Sequence, residues 1–433
     1  MILRRHPTDF IVDERLSPAF TTALRPSPPG HALYRLTKTS LTTPDATLFL
    51  ARALGGGVKP GLVQHAGLKD KHAVTTQHIS VPWKSTTPPP PTLTGSRGST
   101  SWSATLLGFS PRAIEAADID SNAFTIIIRE LTPADITEMD RRISLLTQPS
   151  AFRLPPSALP VPSAQCQVRC LLFTNYFGDQ RFGSARHHKG FAAQHLIRGD
   201  FETALKLLIA TPARKDSGPR RTFTRTLANA WGRGLWSKIL PQLPKLPERK
   251  AVEVLAAPGH EADFKGAFAA LPNFLQQMAV DAFQSWIWNA VAREWIGGPG
   301  GAFSPPHRLD SDDDFGTMTF PYAAAVSAEM CSLQIPMLTA GLVPHPPWEA
   351  AARTVLAQLD PPLSISDFTI PGLRRPAFGD ATRHLLATAR DFAASPPEPD
   401  DSEPVRRRRL RCTVAFTLSR GCYATTVLRA IAR

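Results

Sequence analysis

Proline sets the first limit on how this chain can fold. Each proline fixes its own φ, lacks a backbone N–H and pushes the preceding residue out of the helical region. The 433 residues include 42 prolines, many of them clustered at 88–91, 155–162, 241–247, 344–347 and 396–404. Such clusters read as extended loops that punctuate packed units. Between them the chain is 42% hydrophobic, enough for one large domain or two medium ones, each with its own core. Its longest apolar runs fall far short of the ~20 residues a membrane helix needs. The start, Met1-Ile2-Leu3-Arg4-Arg5-His6-Pro7, has no apolar core like that of a signal peptide. A soluble, cytoplasmic protein with no membrane partner is expected.

Local patterns place the elements. Thr43-Pro44-Asp45 predicts a helix start with Thr43 as cap, running to Leu54 and stopping at Gly55-Gly56-Gly57. A short strand over 62–64 follows, so Asp70 falls on a loop just after a strand, a common place for catalytic groups. Residues 73–83 are rich in β-branched types and predict a strand. Residues 85–102 are Ser, Thr, Pro and Gly, and read as an exposed loop. The clearest buried strand is 124–129, followed by a helix over 133–146, and a further strand is expected at 168–173. From about 187 the chain turns helical. Its strongest helix spans 275–295, with Phe283, Trp286, Ile287, Ala290 and Val291 on one face and Gly297-Gly298-Pro299 as its stop. Residues 391–409 read as a linker that switches from acidic (Glu398, Asp400, Asp401) to basic (Arg406 to Arg409). Strand alternation returns at Cys412, Val414, Phe416 and Leu418, and a short helix over 423–431 ends the chain.

The net charge of +13 favours polyanionic partners, because neutralised phosphates release condensed counterions. Candidate phosphate contacts are Arg181, Arg186, His187, His188, Lys189, the cluster from Arg214-Lys215 to Arg220-Arg221, and the dense run Arg406 to Arg411. The five cysteines, Cys166, Cys170, Cys331, Cys412 and Cys422, are odd in number and scattered, which argues against a disulfide framework. Cys166 and Cys170 with His187 and His188 lack the spacing of a zinc finger. Asp310 to Asp314 lack the glycine and distal glutamate of a calcium loop and read as an exposed loop. No metal and no cofactor are expected.

Four stretches, in order, carry a family likeness. They are Pro7-Thr8-Asp9-Phe10-Ile11-Val12-Asp13-Glu14; Gly67-Leu68-Lys69-Asp70-Lys71-His72-Ala73-Val74-Thr75-Thr76-Gln77; Asn122-Ala123-Phe124 with Asn175-Tyr176-Phe177-Gly178-Asp179-Gln180-Arg181-Phe182-Gly183; and Gly421-Cys422-Tyr423-Ala424-Thr425-Thr426-Val427-Leu428-Arg429. Together they resemble the TruD family of RNA pseudouridine synthases across almost the whole chain. The resemblance implies an α/β (α+β) fold with a mixed, largely antiparallel sheet flanked by helices and an active-site cleft across the sheet. It implies a discontinuous catalytic domain, 1–186 plus 386–433, and an inserted helix-rich domain, 187–385. The implied partner is transfer RNA, the implied target uridine 13 of the D arm, and no cofactor, metal or obligatory protein partner is expected of a monomer.

The same resemblance assigns roles. Asp70 is the catalytic carboxylate, and the flanking Lys69 and Lys71 are cations that favour its ionised form. Arg4 is the best match to a basic group that the family places near this aspartate. Phe124 stacks on the flipped base, with Asn122 as a nearby polar contact. Strand alternation puts Phe124 on the face of Ile126 and Ile128, so a core role competes. Asn175, Phe177, Gln180, Arg181 and Phe182 form the cleft wall. Glu14 orients a basic group, and Tyr423, Thr425 and Arg429 close the site. The last motif departs from the family, because Ala430 follows Arg429 where the family has glutamate. The helical middle shares little with the family beyond Phe283-Gln284-Ser285 and Asn289.

Overall fold

Alternating burial along the strands of the N-terminal half builds one large sheet. The computed structural model describes residues 2–55, 57–147, 169–183, 185, 189–213, 216–299, 301–303, 306–343, 348–402 and 409–432. The proline clusters at 155–162 and 344–347 lie outside the described residues, as do Cys166, Arg186, His187, His188, Arg214, Lys215 and Arg406 to Arg408. The chain forms two units, Met1–Leu172 with Thr388–Arg433, and Phe173–Ala387.

The first unit begins with β1 (Phe10–Leu16), α1 (Pro18–Thr22), β2 (Gly30–Thr39) and α2 (Thr43–Leu54). Next come β3 (Gln64–His65), β4 (Val74–Trp83), β5 (Thr92–Arg97), β6 (Thr100–Ser110), β7 (Ile119–Leu131) and α3 (Pro133–Leu146). After β8 (Leu171–Thr174) the chain enters the second unit. There it forms α4 (Ala192–Ile197), α5 (Phe201–Ile209), α6 (Gly218–Ala230), α7 (Trp236–Ile239), α8 (Arg249–Leu255), α9 (Phe264–Ala269) and α10 (Asn273–Gly297). The hairpin β9 (Arg308–Ser311) and β10 (Met318–Pro321), α11 (Ala328–Ser332), β11 (Gln334–Pro336), α12 (Glu349–Ala357) and β12 (Thr382–His384) complete that unit. The return adds β13 (Leu386–Ala394), β14 (Glu398–Pro399), β15 (Leu410–Ser419) and α13 (Ala424–Ile431).

The strand order is β5-β6-β2-β4-β1-β7-β15-β13, with β3 on β4 and β14 on β15. β1 and β4 run parallel, whereas β2–β4, β2–β6, β5–β6, β1–β7, β7–β15 and β13–β15 are antiparallel. The fold is therefore the mixed, largely antiparallel α/β type. Ala32, Tyr34 and Leu36 of β2 share a core with Ala46, Leu50 and Ala51 of α2, and with Ile79 and Val81 of β4. On the other face of β2, Leu33 packs with Phe20, Ile114 and Ile119.

Helix starts follow capping chemistry. Thr132 accepts from the Asp135 N–H at 3.1 Å and Asp135 Oδ2 accepts from the Thr132 N–H at 2.8 Å, so α3 begins at Pro133 as predicted. At α2 the cap is Thr42, which accepts from the Asp45 N–H at 3.1 Å, and not Thr43. Two adjacent threonines offer the same signal. Thr43 instead points inward, where it is 1% exposed.

The expected loop at 85–102 is largely a hairpin, β5–β6, closed at Gly98-Ser99. Gly98 takes φ 60°, a left-handed conformation it reaches without a Cβ penalty. Trp102 lies over Gly95, where a Cβ would meet its indole nitrogen at 2.5 Å. The residues of β5 are mostly exposed, so no apolar alternation marks the strand. The 88–91 cluster also joins the sheet: the Pro90 carbonyl accepts from Tyr34 Oη and the Pro91 carbonyl from the Leu106 N–H, both at 2.8 Å. Proline loses its donor but keeps its acceptor. The expected exposed loop at Asp310 to Asp314 is in part the β9–β10 hairpin.

In the second unit α10 is not half-buried along one face. Polar Gln276, Gln284 and Ser285 are buried along with Phe283, Ile287 and Val291. Their partners make this possible: Gln284 Nε2 donates to the Leu338 and Gly379 carbonyls at 2.9 and 2.7 Å, and Gln276 Nε2 to the Leu271 carbonyl at 2.6 Å.

The segment expected to be a linker after 391 is tied to the sheet. Arg129, at the end of β7, is 4% exposed. It donates to Asp9 Oδ1 at 2.8 Å, Asp400 Oδ1 at 2.8 Å and Asp401 Oδ1 at 2.7 Å. Burial raises the Asp9 carboxyl, but the Arg129 hydrogen bond, the His6 N–H and the Arg129 charge outweigh it and hold the group below the carboxylate range. Arg129→Met would strand Asp9 and Asp400 as buried, uncompensated carboxylates. The expected cost is about 3–5 kcal/mol, read from denaturant midpoints. A loss below about 1 kcal/mol would show that Asp9 and Asp400 are not left uncompensated without the guanidinium.

Candidate active site

The second motif straddles a loop and a strand. Residues 67–73 form the connection between β3 and β4, and Val74 to Gln77 open β4 beside β1 and β2. Asp70 therefore stands on a loop next to the parallel β1–β4 ladder.

Two basic side chains, Arg4 and Lys38, meet this loop, and a third, Lys69, leaves it for the sheet. Arg4 Nη1 lies 2.6 Å from Asp70 Oδ2. The Arg4 guanidinium also sits 4.4 Å above the Phe10 ring. Its position follows from the knot described above, because residues 2–6 are held against β7. Ile2 and Arg129 exchange backbone hydrogen bonds at 3.1 and 2.9 Å, and Asp9 Oδ2 accepts from the Arg5 and His6 N–H groups at 3.0 and 2.8 Å.

Lys69 turns away from its sequence neighbour. Its Nζ lies 2.6 Å from Glu14 Oε2 and donates to Asn122 Oδ1 at 2.8 Å. Glu14 and Asn122 are register partners on β1 and β7, so the sheet itself builds this bridge. Glu14 is 3% exposed and also accepts from the His78 N–H at 2.8 Å. Burial pushes its carboxyl up; the hydrogen bond with the His78 imidazole, Nδ1 to Oε1 at 3.3 Å, and the Lys69 charge outweigh this and hold it below the usual range.

The second cation on the loop is Lys38, which the sequence reading did not single out. It is 0% exposed at the end of β2, and its Nζ donates to the carbonyls of Leu41 and Asp70 at 2.7 and 2.9 Å. Burial pushes its ammonium down to about 8, with Asp70 opposing the shift and Lys69 adding to it. A usable signal was present. Ala32, Tyr34, Leu36 and Lys38 share one parity of β2, and a lysine stood where alternation reserves a core residue.

Thr43 completes the frame: its Oγ1 accepts from the Lys69 N–H at 3.1 Å and donates to Gln77 Oε1 at 2.9 Å. The His72 N–H donates to Asp70 Oδ1 at 2.9 Å. Lys71 is exposed.

Phe124 is half-buried in an aromatic row. Its ring stacks on Phe416 at 5.5 Å between centroids and meets Phe10 edge-on at 6.1 Å. The chain of contacts Asp70–Arg4–Phe10–Phe124 thus lies within one unit. Tyr423 precedes α13 and Arg429 lies in its last turn, both half-buried in the same unit.

The N-Y-F-G-x-Q-R-F-G stretch lies in the second unit, with its aromatic and amide groups mostly turned inward. Asn175 Oδ1 accepts from Arg383 Nη2 at 2.6 Å. Phe177 is 9% exposed, under the Arg383 guanidinium at 4.2 Å and edge-on to Trp288 at 5.7 Å. Asn289 clasps the Phe177 backbone, accepting from its N–H at 2.8 Å and donating to its carbonyl at 2.9 Å. Arg181 pairs with Asp281 at 3.1 Å, and Gln180 is exposed. Among the described residues no cluster of three or more His, Cys, Asp or Glu could hold a metal ion, and no helix is long and apolar enough to cross a membrane.

Residues 1–299 match the family model of tRNA pseudouridine synthase D (TruD). The chain belongs to this family. It is 27% identical over 401 residues to a tRNA pseudouridine synthase D of Aquifex aeolicus, covering 92% of this chain and 91% of the relative. A probable tRNA pseudouridine synthase D of Methanococcus maripaludis is 23% identical over 439 residues, covering 100% and 99%. A crystal structure from Methanosarcina mazei, assigned to the same family, superposes with a TM-score of 0.63 at 22% identity, covering 99% of this chain and 93% of that one. That likeness speaks for the fold. In this TruD-family chain, the Pro7–Glu14 and Gly67–Gln77 motifs supply adjacent parallel strands and the charged groups between them.

The lowered carboxyl of Glu14 gives a pH signature. Its contribution to stability is complete above the ordinary value near 4.5 and is lost as pH falls through the lower folded value. Glu14→Gln should therefore lower the melting temperature most at pH 7, with the deficit shrinking below about pH 4.5. A deficit that stays constant from pH 7 to pH 3 would rule out this ion pair as its source.

Proposed function

We propose that this chain isomerises a uridine of transfer RNA to pseudouridine, at uridine 13 of the D arm, with Asp70 as catalytic carboxylate. The observation that carries this reading is the Asp70 side chain itself. It is part-exposed, it is paired with Arg4 at 2.6 Å, and it accepts from the His72 N–H at 2.9 Å. The family membership supports the substrate class, and the net charge of +13 suits a polyanion.

The reaction breaks the bond between C1′ and N1, turns the uracil, and forms a bond between C1′ and C5. C5 loses a proton and N1 gains one, so the change is an isomerisation that needs no oxidant or reductant. A carboxylate can open it as a nucleophile at C1′ or C6, or as a base toward the C2′ proton. Each route needs a carboxylate held in one orientation, which Arg4 and the His72 N–H provide.

The uridine must leave its stack to react. Phe124 offers the aromatic surface, and Asn122, its Oδ1 held by Lys69, presents its amide NH2 to a uracil carbonyl. Lys71 serves the phosphate backbone. We assign the family's inserted domain to the Phe173–Ala387 unit, where Asn175 and Phe177 set the local packing, Arg181 is half-buried against Asp281 and Ser285, and the exposed Gln180 meets RNA only at the surface of that unit.

Incubation with transfer RNA followed by site-resolved pseudouridine mapping tests the assignment. Asp70→Asn should yield no product while binding transfer RNA as the wild type does; equal product from both would sink the catalytic role. Wild-type protein that retains RNA and modifies none would instead be an RNA-binding protein on this scaffold. Phe124→Ala should reduce kcat/KM by roughly 5- to 150-fold, the equivalent of about 1–3 kcal/mol of lost stacking, with turnover hit harder than binding. Unchanged activity would return Phe124 to the core.

A further inference from the structure

Lys38 takes no chemical step in the reaction as proposed, yet it lies fully buried against the Asp70 backbone. It is fully buried at the position of β2 that follows Ala32, Tyr34 and Leu36 into the apolar core. An ammonium has three donors and no acceptor. Here they go to backbone oxygens: the Leu41 carbonyl at 2.7 Å, the Asp70 carbonyl at 2.9 Å and, at longer range, the Lys69 carbonyl at 3.4 Å. Burying such a charge is costly, and packing alone would be met better by an apolar side chain.

The Lys69 backbone is gripped on its N–H side too. The Lys69 N–H donates to Thr43 Oγ1 at 3.1 Å, and Thr43 is fixed by its own bond to Gln77 Oε1 at 2.9 Å. Two inward polar side chains, one from the end of β2 and one from the start of α2, thus hold the backbone of Lys69 and Asp70. The Leu41 contact ties the β2–α2 connection into the same grip.

We propose that Lys38 is a positioning residue for Asp70: it fixes the backbone from which the carboxylate projects, without touching substrate. This rests on Asp70 being the catalytic group. A loop backbone held in one conformation has no ordering entropy left to lose at each turnover. A misplacement on the order of 1 Å can cost about 10²-fold in rate. The expected signature is a loss in turnover with RNA affinity preserved, because Lys38 lies beneath the surface that RNA would meet.

Lys38→Met, close in length and uncharged, tests this. Expected are a cooperative melt, a tRNA Kd within about 2-fold of wild type, and single-turnover pseudouridine formation slower by about 10²-fold. Amide hydrogen exchange should accelerate at residues 67–73 and stay unchanged along β4 and β7. A folded variant with wild-type turnover overturns the proposal. So does a variant whose turnover falls while exchange at 67–73 stays unchanged, or falls only in step with Kd. Should Lys38→Met fail to fold, Thr43→Val removes the opposite grip and is read by the same measurements; normal turnover and normal exchange at 67–73 would then overturn the proposal. Wild type and Asp70→Asn run alongside. If wild type makes no pseudouridine, the functional reading fails, and the exchange data alone decide whether Lys38 holds the loop.

Discussion

The buried Arg129 is the constraint on which the geometry of the first unit depends. Asp9 comes from the start of the chain, Asp400 and Asp401 from near its end, and β7 lies between them. Taking these charges out of water is expensive, and their attraction recovers the cost only when every donor and acceptor is paired. The pairing is dense: Asp9 also accepts two backbone N–H groups, and Asp400 accepts those of Glu130 and Ser402. Such a knot contributes geometry more than net stability. It fixes residues 2–6 against β7, and that places Arg4 over Phe10 and onto Asp70.

Around Asp70 the pairing of cations with anions follows burial, not sequence distance. Lys69 and Lys71 flank the aspartate, yet Lys69 goes to Glu14. A buried carboxylate without a partner costs more than a part-exposed one, so the nearest mobile ammonium is drawn to the deeper anion. Register makes this possible, because Glu14 and Asn122 face each other across the β1–β7 ladder and Lys69 reaches both. Arg4, with its planar fork and its aromatic support, is left for the more exposed group.

These same forces explain which parts of the molecule could be read from its sequence. The α3 boundaries, β4, β7, β15 and α13 were legible because each carries a local signal: a capping box, β-branched runs, or period-two alternation ending in a glycine turn. The β5–β6 hairpin was not, since a polar edge strand is held by its backbone ladder and by one tryptophan over one glycine. The acidic stretch at Asp400 looked like linker because its partner, Arg129, is remote in sequence. At the site, Asp70, Arg4, Lys69, Asn122 and Glu14 were legible as a set from motifs, but not who pairs with whom. Lys38 was missed because no strand was expected over the residues of β2, so the core parity that Lys38 shares with Ala32, Tyr34 and Leu36 went unread. In the second unit, the resemblance marks Asn175 and Phe177 as cleft wall, but their partners Arg383 and Asn289 lie outside the motif and could not be read from it.

The two readings of Phe124, core residue and base-stacking surface, are compatible once the register is known. Alternation aligns its ring with Ile126 and Ile128, and the ladder sets it opposite Val12 on one side and Phe416 on the other. Phe416 covers one face and Phe10 meets it edge-on, yet the ring stays half-buried, not sealed. A ring already fixed by its neighbours loses little rotamer freedom when a base arrives. On the proposed reading, core packing is therefore what makes Phe124 effective: the sheet bears the ordering cost during folding, and the flipped uracil meets a rigid surface. The same logic applies to Asp70, whose loop is ordered by buried hydrogen bonds before any RNA is bound.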